Sequence, residues 1–274
     1  MLTPATRSDE ALGRLEAALR PHQRLLVAFS GGVDSGVLLA VARRVLGDRV
    51  LAVTADSPSM ARRELDEAVR FAADLGVAHR VVATGELSRP EYARNDRDRC
   101  FWCKQTLFAL CDALAREEGW SAVAYGYTRD DAGDFRPGHR AATEFGVVAP
   151  LFDAGLGKTD IRAIAKELGL ELWDKPAAPC LASRIPYGSE VTEAKLGAVE
   201  RVEALLHDLG FRVCRARYDG REMRIEVERA EIARAATPEI RDAIARAARA
   251  AGAALVTLDL EGFVSGKLNR SAGA

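Results

Sequence analysis

Short apolar runs alternate with amphipathic segments along the first two thirds of the chain. The apolar runs predict buried strands, at residues 25–29, 50–54, 79–83, 122–126 and 147–149. Apolar residues at helical spacing predict the helices between them, at residues 5–20, 36–46, 60–75, up to about 119, and 159–168. This alternation predicts an α/β fold: a doubly wound parallel sheet with helices on both faces.

The pattern changes after Lys175-Pro176-Ala177-Ala178-Pro179, a stretch that breaks regular structure. The remaining residues predict a smaller α+β unit, with helices at residues 192–209 and 238–251, a hairpin of strands at 212–217 and 223–227, and a strand at 254–260. We therefore predict two domains, at residues 1–178 and 179–274.

Composition and charge argue against two kinds of partner. The 274 residues carry 39 basic and 40 acidic side chains, so no general electrostatic field favours nucleic acid or an anionic membrane. No apolar run is long enough to span a bilayer, and residues 1–10 lack the apolar core of an export signal. Five cysteines in such a chain predict reduced thiols in a cytoplasmic protein.

A polar, glycine-rich turn joins the first predicted strand to the next helix, with the sequence Ser30-Gly31-Gly32-Val33-Asp34-Ser35. A strand, a tight turn and a helix N-terminus form an anion site, because free backbone N–H groups and the positive end of the helix dipole point at the turn. Ser30 and Ser35 can add hydroxyl donors, and Asp34 can hold Mg²⁺. The pattern is neither a Walker A loop nor a dinucleotide fingerprint. The alternative is an ordinary glycine-rich turn.

These residues resemble the SGGxDS signature of the PP-loop ATP pyrophosphatases. The resemblance implies an enzyme that splits ATP between its α and β phosphates and adenylates a substrate oxygen. It also implies that the end of the second strand, with Thr54 and Asp56, meets the adenosine part of ATP. Gly155-Leu156-Gly157-Lys158-Thr159 looks like half a phosphate loop but predicts only a turn into a helix, and whether Lys158 faces a phosphate stays open.

The cysteines suggest a second kind of chemistry. Cys100 and Cys103 form a CxxC pair at a predicted helix start, and Cys180 follows the domain boundary. Cys111 and Cys214 are predicted to pack in the interior. Three cysteines around a nucleotide crevice fit either a sulfur-transfer site or a three-thiolate [4Fe–4S] cluster.

Six motifs together, in order across residues 10–265, resemble the LarE family of ATP-dependent sulfur transferases of nickel-pincer nucleotide cofactor synthesis. They are SGGVDS, DRCFWCK, GYTRDDAGDFRPG, PAAPCLASRIPYG, RARYDG and TLDLEG. The resemblance implies that ATP with Mg²⁺ adenylates a carboxylate of a pyridinium-3,5-dicarboxylate mononucleotide and that sulfur then replaces an oxygen. The sulfur comes either from Cys180 itself, which becomes dehydroalanine, or from a [4Fe–4S] cluster on Cys100, Cys103 and Cys180. The three cysteines favour the cluster route.

Such a substrate carries a phosphate and two carboxylates and therefore needs cationic groups. Candidates from the matching motifs are Arg184, Arg215 and Arg217, with Ser183 as a donor to phosphate and Trp102 as a stacking partner. Glu203, one helix away from the arginines, is a candidate metal ligand. The alternatives are solvated edge charges for the two strand arginines, a core position for Trp102 and a solvated helix position for Glu203. Asp131 and Asp134 either bind metal or make turns. The first domain is then the PP-loop ATP pyrophosphatase domain, and the second binds the substrate.

Two rival functions remain: a PP-loop tRNA-thiolating sulfurtransferase and a non-enzymatic ATP-binding sensor. Against the first stand the balanced charge and the lack of a recognisable RNA-binding appendage. The predicted partners are a small-molecule nucleotide, a second copy of the chain in a homo-oligomer, and other enzymes of cofactor synthesis. Nucleic acid and membrane are not expected.

Overall fold

The computed structural model describes residues 4–133 and 137–267. The internal contacts of the chain divide it into two compact units. The first unit contains Met1–Glu86 and Cys100–Ala178, and the second contains Leu87–Arg99 and Pro179–Ala274. The main division therefore follows Ala178, and a short earlier segment belongs to the second unit.

The first unit is a parallel sheet between two layers of helices. Its strands are β1 (Leu25–Ala28), β2 (Val50–Asp56), β3 (Ala78–Ala83) and β4 (Ala122–Tyr125), in the order β3-β2-β1-β4. Its helices are α1 (Pro4–Leu19), α2 (Val33–Leu46), α3 (Arg62–Asp74), α5 (Arg99–Glu118, which begins at the last residue of the second unit), α6 (Pro137–Glu144), α7 (Pro150–Asp153) and α8 (Lys158–Glu167). Every strand pair in this sheet is parallel, which confirms the predicted fold class.

Alternate residues of β1 explain the two helical layers. Leu25 and Val27 lie in the apolar cluster formed with α1, α2 and α8, whereas Leu26 and Ala28 lie in the cluster formed with α5 and α6. Successive side chains of a strand point to opposite faces, so an unbroken apolar run is what a sheet covered on both sides requires. The carboxyl end of β1 is thereby held between two packed cores.

The second unit has a mixed sheet with helices beside it. Its strands are β5 (Cys214–Tyr218), β6 (Glu222–Val227) and β7 (Leu255–Leu258), and its helices are α4 (Pro90–Ala93), α9 (Glu193–Asp208), α10 (Ile232–Ala235) and α11 (Pro238–Ala250). Strands β5 and β6 form the predicted antiparallel hairpin, and β7 adds to β6 in parallel. Helix α9 packs on β5 and on α11. Thr192 caps α9, its hydroxyl accepting the N–H of Lys195 at 3.3 Å.

One strand prediction is wrong. Residues 147–149 make only a single parallel bridge, between Val148 and Ala124, before Pro150 begins α7. A proline at the first position of a helix is favourable, and it leaves too few residues for a strand. None of the helices in residues 4–133 and 137–267 combines the length and apolar character needed to cross a bilayer.

Hydrogen bonds explain why Leu87–Arg99 belongs to the second unit. The Nδ2 of Asn95 donates to the carbonyls of Pro186 at 2.7 Å and Ser189 at 2.9 Å. The buried Arg99 donates to the carbonyl of Ala182 at 2.9 Å and to the Asn95 side chain. Asn95 is fully buried and has φ of 59°, a left-handed conformation that asparagine tolerates better than most residues. The segment thus holds the chain that follows Cys180.

Candidate functional site

The predicted phosphate loop lies between β1 and α2 in the first unit. The hydroxyls of Ser30 and Ser35 are 3.0 Å apart, and the Ser35 hydroxyl donates to the carbonyl of Gly32 at 3.2 Å. Ser30 is exposed, whereas Ser35 is 4% exposed. The Ser35 hydroxyl therefore shapes the loop from inside, and the hydroxyl of the exposed Ser30 pairs with it beside the start of α2.

Glycines are required here because backbone segments approach closely. Gly31 has φ of 74°, and a Cβ at this position would lie 3.1 Å from the Cβ of Ala68 on α3. A Cβ on Gly126, which follows β4, would lie 2.9 Å from the backbone nitrogen of Ser35. Gly32 is the N-cap of α2. The loop therefore lies close against α3 on one side and against the end of β4 on the other.

A lysine lies between two carboxylates at this loop. The Nζ of Lys158 is 2.5 Å from Oδ2 of Asp34 and 3.4 Å from Oδ1 of Asp131. Asp131 is buried and accepts hydrogen bonds from the backbone N–H and hydroxyl of Thr128 at 3.1 and 2.9 Å. The Lys158 side chain remains 43% exposed. This arrangement can offer an ammonium donor to phosphate and two carboxylates to a divalent cation.

The sequence left open whether Lys158 faces a phosphate and whether Asp131 binds metal or makes a turn. Lys158 is the first residue of α8, and its backbone N–H donates to Oδ2 of Asp130 at 2.7 Å. The Gly-Lys pair at a helix start was the available signal, but no sequence pattern showed that α8 begins beside the phosphate loop. The fold brings together Asp34 and Lys158, which are 124 positions apart.

At the end of β2, Thr54 and Asp56 are both engaged with other side chains. The Thr54 hydroxyl donates to the carbonyl of Phe29 at 2.8 Å and lies 2.9 Å from Nε2 of His79. Burial lowers the pKa of His79. Asp56 forms an ion pair with Arg62 at 2.5 Å. Thr54 thus holds the backbone at the point where β1 enters the phosphate loop, and its contact with adenosine stays a prediction.

The CxxC pair lies in the first turns of α5. Cys100 is exposed and Cys103 is half-buried, whereas Cys111 is buried in the core as predicted. Burial raises the pKa of the Cys111 thiol to about 12, so this cysteine is a poor nucleophile. Trp102 packs edge-on against Phe101, with ring centroids 4.9 Å apart. Its stacking on a ligand ring stays a prediction.

In the second unit, Arg184 organises the segment that carries Cys180. Its guanidinium donates to Oε1 and Oε2 of Glu203 at 2.9 and 2.8 Å. Its Nη1 donates to the carbonyl of Cys180 at 3.1 Å, to Oγ of Ser183 at 3.0 Å and to the carbonyl of Pro179. Burial alone would lower the pKa of Arg184, but the adjacent Glu203 outweighs it and raises the pKa. Cys180 itself is half-buried.

Glu203 serves as the acidic partner of this segment. It is 5% exposed, and its Oε1 also accepts the backbone N–H of Ala216 at 2.9 Å. Both carboxylate oxygens therefore have protein donors. The role of Glu203 as a metal ligand stays a prediction, and the observed contacts are those of a buried ion pair.

The two predicted substrate-binding arginines on β5, Arg215 and Arg217, have different partners. Arg217 donates through Nε and Nη2 to Oε2 of the fully buried Glu226, at 3.2 and 3.0 Å, and through Nη1 to the carbonyl of Ser183 at 2.9 Å. Arg215 donates to the carbonyl of Cys214 at 2.6 Å and lies 4.8 Å from the ring centroid of Phe263.

The surroundings of Arg215 disfavour its positive charge. Burial, followed by the nearby charge of Arg184, lowers the pKa of Arg215 to about 10. A shift in this direction means that the folded protein stabilises the charged guanidinium less than water does. An anion bound at this position would offset that cost. The role of Arg215 as a ligand of substrate anions stays a prediction.

The thiols and carboxylates predicted to bind metal are distributed over both units. Asp34, Cys100 and Cys103 belong to the first unit, and Cys180 and Glu203 to the second. Among residues 4–133 and 137–267, no group of three or more His, Cys, Asp or Glu side chains is arranged to hold a metal ion. The predicted metal or turn residue Asp134 lies outside the described residues.

A parallel sheet whose first strand enters the Ser-Gly-Gly-Val-Asp-Ser loop, with a lysine and carboxylates at that loop, defines a PP-loop ATP-using enzyme. The family model for asparagine synthase matches residues 14–109, which contain this loop. A subunit of the glutamine-hydrolysing GMP synthase of Methanococcus vannielii is 30% identical over 191 residues, 64% of this chain and 60% of that protein.

Two further relatives match almost the whole chain. An uncharacterized protein of Synechocystis sp. is 42% identical over 247 residues, which cover 90% of this chain and 92% of that protein. The pyridinium-3,5-bisthiocarboxylic acid mononucleotide synthase of Lactiplantibacillus plantarum is 37% identical over 270 residues, 98% of this chain and 96% of that protein. The chain belongs to this synthase family, the LarE family, which confirms the resemblance drawn from the six motifs.

Proposed function

We propose that this protein uses ATP to convert a carboxylate of a pyridinium-3,5-dicarboxylate mononucleotide into a thiocarboxylate. The observation that carries the proposal is the phosphate loop with Lys158 between Asp34 and Asp131. It occurs in a chain that matches the Lactiplantibacillus plantarum synthase over 98% of its length. The loop supports an ATP-dependent activation step, and the family match supports the class of substrate.

In the activation step, a substrate carboxylate oxygen attacks the α-phosphorus of ATP. The bond from that phosphorus to the bridging oxygen of the β-phosphate breaks, and pyrophosphate leaves with the electron pair. The N–H groups at the start of α2 and the ammonium of Lys158 stabilise the negative charge on the leaving group. Lys158 would then exchange its carboxylate partners for phosphate oxygens.

Asp34 and Asp131 would hold Mg²⁺, because carboxylate oxygens together with substrate phosphates are its usual ligands. The two carboxylates already lie on either side of one cation, Lys158, so their oxygens are directed toward a common positive charge. The metal, when bound, would neutralise phosphate charge. Thr54 and Asp56, at the end of β2, would line the adenosine side of the crevice.

In the sulfur step, a thiolate attacks the acyl carbon and AMP leaves. If Cys180 is the nucleophile, a thioester forms. Loss of the Cα proton of Cys180 then breaks its Cβ–S bond, and the electron pair of that bond stays on the sulfur. The products are a thiocarboxylate and a dehydroalanine in the chain. Ser183 and Arg184 position the Cys180 backbone for this step, since Arg184 donates to the Cys180 carbonyl.

The second sulfur source is a [4Fe–4S] cluster on Cys100, Cys103 and Cys180, which when bound would supply a sulfide in place of the cysteine sulfur. The donor chemistry fits, because thiolates are the usual ligands of such clusters. Cys100 and Cys103 lie three positions apart on α5, a spacing that places both on one face of the helix. We favour this source because the chain carries all three thiols.

For substrate binding, we propose that Arg215 contacts the phosphate or a carboxylate of the mononucleotide. Arg217 and Arg184 support it, because their ion pairs with Glu226 and Glu203 hold the surrounding backbone. Trp102 would stack on the pyridinium or adenine ring. We also propose that the protein forms a homo-oligomer and has other cofactor-synthesis enzymes as partners. Light scattering tests the oligomeric state.

The test uses protein purified without oxygen. Iron and sulfide are counted first, and then pyrophosphate release and thiocarboxylate formation are followed with MgATP and the dicarboxylate mononucleotide. A mass loss of about 34 Da, corresponding to hydrogen sulfide, after one turnover identifies Cys180 as the sulfur donor. Turnover without mass loss in iron-containing protein identifies the cluster route. Cys180→Ser should abolish product on either route, and Cys111→Ser is the matched control.

Two outcomes contradict the proposed function. ATP binding without pyrophosphate release, with every substrate present, would indicate an ATP-binding sensor. Thiolation of tRNA, with no reaction on the mononucleotide, would indicate the tRNA-thiolating alternative.

A further inference from the structure

A second lysine of the first unit contacts the phosphate loop from behind. The Nζ of Lys175 donates to the carbonyl of Gly31 at 3.1 Å. It also forms ion pairs with Glu64 at 2.7 Å and Glu67 at 2.9 Å, both on α3. The Lys175 side chain is 15% exposed, so the ammonium is largely removed from water and held by three acceptors.

The carbonyl that Lys175 holds determines where a loop N–H points. In a planar trans peptide, the C=O of one residue and the N–H of the next point in opposite directions. The Gly31 carbonyl points toward the ammonium of Lys175, so the N–H of Gly32 points away from that ammonium. Glycines on both sides of this peptide leave its rotation almost unrestricted by side chains. A fixed hydrogen bond is therefore needed to keep one orientation.

The acids on α3 keep Lys175 at this position. Burial alone would raise the pKa of Glu67, but hydrogen bonds from Lys175 and Arg63 outweigh it and lower the pKa. Glu67 is thus ionised at neutral pH. Two carboxylates hold one ammonium behind the loop, unlike Lys158, which is more exposed and lies beside Asp34 at the start of α2.

We propose that Lys175 is a positioning residue for the ATP reaction: it fixes the Gly31–Gly32 peptide so that the Gly32 N–H is directed at the phosphates. This inference rests on the proposed function, since it assigns Lys175 to the same phosphate loop. In this role the Lys175 ammonium acts through the Gly31 carbonyl and not by direct contact with the nucleotide. Its removal should therefore weaken the binding of phosphate-bearing ligands and leave the affinity for adenosine, which has no phosphate, unchanged.

The experiment compares the affinities of full-length protein for three probes. Calorimetry measures MgATP and inorganic pyrophosphate, and ligand-observed NMR measures adenosine. Lys175→Met should weaken MgATP and pyrophosphate about tenfold or more, the loss expected when an aligned hydrogen-bond donor is disordered. Lys175→Arg keeps the charge and a donor and should recover most of that affinity. Arg63→Met removes the other cationic partner of Glu67 without touching Gly31, and it is the matched control.

A further variant guards against loss of folding. Lys175→Met leaves two carboxylates without their ammonium, so the triple variant Lys175→Met/Glu64→Gln/Glu67→Gln removes the donor and the acids together. The triple variant should fold, and its affinity for MgATP should remain as low as that of Lys175→Met. Unchanged MgATP affinity in this variant, or an equal loss of adenosine affinity, would overturn the role of Lys175. Wild-type protein that fails to bind MgATP would instead overturn the proposed function and this inference with it.

Discussion

The contacts of Glu203 allow a sharp test of whether it supports the fold or binds a metal. We choose Glu203→Gln, which keeps the shape of the side chain and an acceptor for the Ala216 N–H but removes the charge. In the folded protein Glu203 forms a two-point ion pair with Arg184, and the two side chains are 7% and 5% exposed. The substitution leaves the Arg184 guanidinium buried without its counter-charge.

The burial of this ion pair sets the expected loss of folding stability. Breaking a buried ion pair by removing one partner costs about 3–5 kcal/mol. Glutamine keeps one neutral acceptor, so we expect the lower end, about 3 kcal/mol. A loss of this size lowers the unfolding midpoint by about 6–12 °C in a protein of this length. An exposed pair gives the control: Asp242→Asn removes the partner of Arg241, where the two side chains are 52% and 60% exposed, and should cause no resolvable shift.

The assay is thermal unfolding of both variants in the presence of a chelator, so that a bound metal contributes nothing to stability. If Glu203 is the ion-pair partner, the midpoint of Glu203→Gln falls under these conditions. If Glu203 were instead a metal ligand, removing its charge would not lower the stability of the metal-free protein. An unchanged midpoint with loss of activity would therefore refute the structural role.

Three other results are expected. Gly126→Ala should weaken MgATP binding in calorimetry, because a Cβ at this position would lie 2.9 Å from the backbone nitrogen of Ser35 and would displace the start of α2. Iodoacetamide at about pH 8 should modify the exposed Cys100 and spare Cys111, whose pKa burial raises to about 12; peptide mass spectrometry reads this directly. Arg215→Met should weaken binding of the mononucleotide about tenfold or more and leave MgATP affinity unchanged, because its buried charge is best offset by an anionic ligand.

Each of these three predictions has a control variant or an outcome that would contradict it. Gly13→Ala, at a position on α1 where a Cβ would meet nothing within 4 Å, should leave MgATP binding unchanged. Modification of Cys111 as fast as Cys100 in the folded protein would contradict its burial. Equal loss of mononucleotide and MgATP affinity in Arg215→Met would indicate a general structural defect instead of substrate recognition.

Much of the fold could be predicted because its signals are local. The apolar runs at β1 and β2 predict a sheet covered on both faces, and the structure has helices on both sides. The strand at residues 147–149 was predicted wrongly, because three apolar residues cannot show whether the next turn continues the strand or begins a helix at Pro150. The phosphate loop was predictable because all of its residues are contiguous.

The candidate site was less predictable, because its contacts join distant parts of the chain. Arg215 and Arg217 are two positions apart on a predicted strand and so share one face, but the pairing of Arg217 with Glu226 depends on the register of β5 with β6. The polar segment at residues 87–99 showed no periodicity that would assign it to a unit. Its assignment depends on the hydrogen bonds of Asn95 to carbonyls about 90 residues later.

The sequence by itself determined the order of strands and helices, the glycine-rich turn at the end of β1 and the family to which the chain belongs, because each is encoded in adjacent residues or in their period. Only the tertiary structure decided which charges meet. Lys158 lies at Asp34, Lys175 at Gly31 and Glu64, and Arg184 at Glu203. A charged residue has many possible partners along a chain, and packing of the apolar faces selects the one that it contacts.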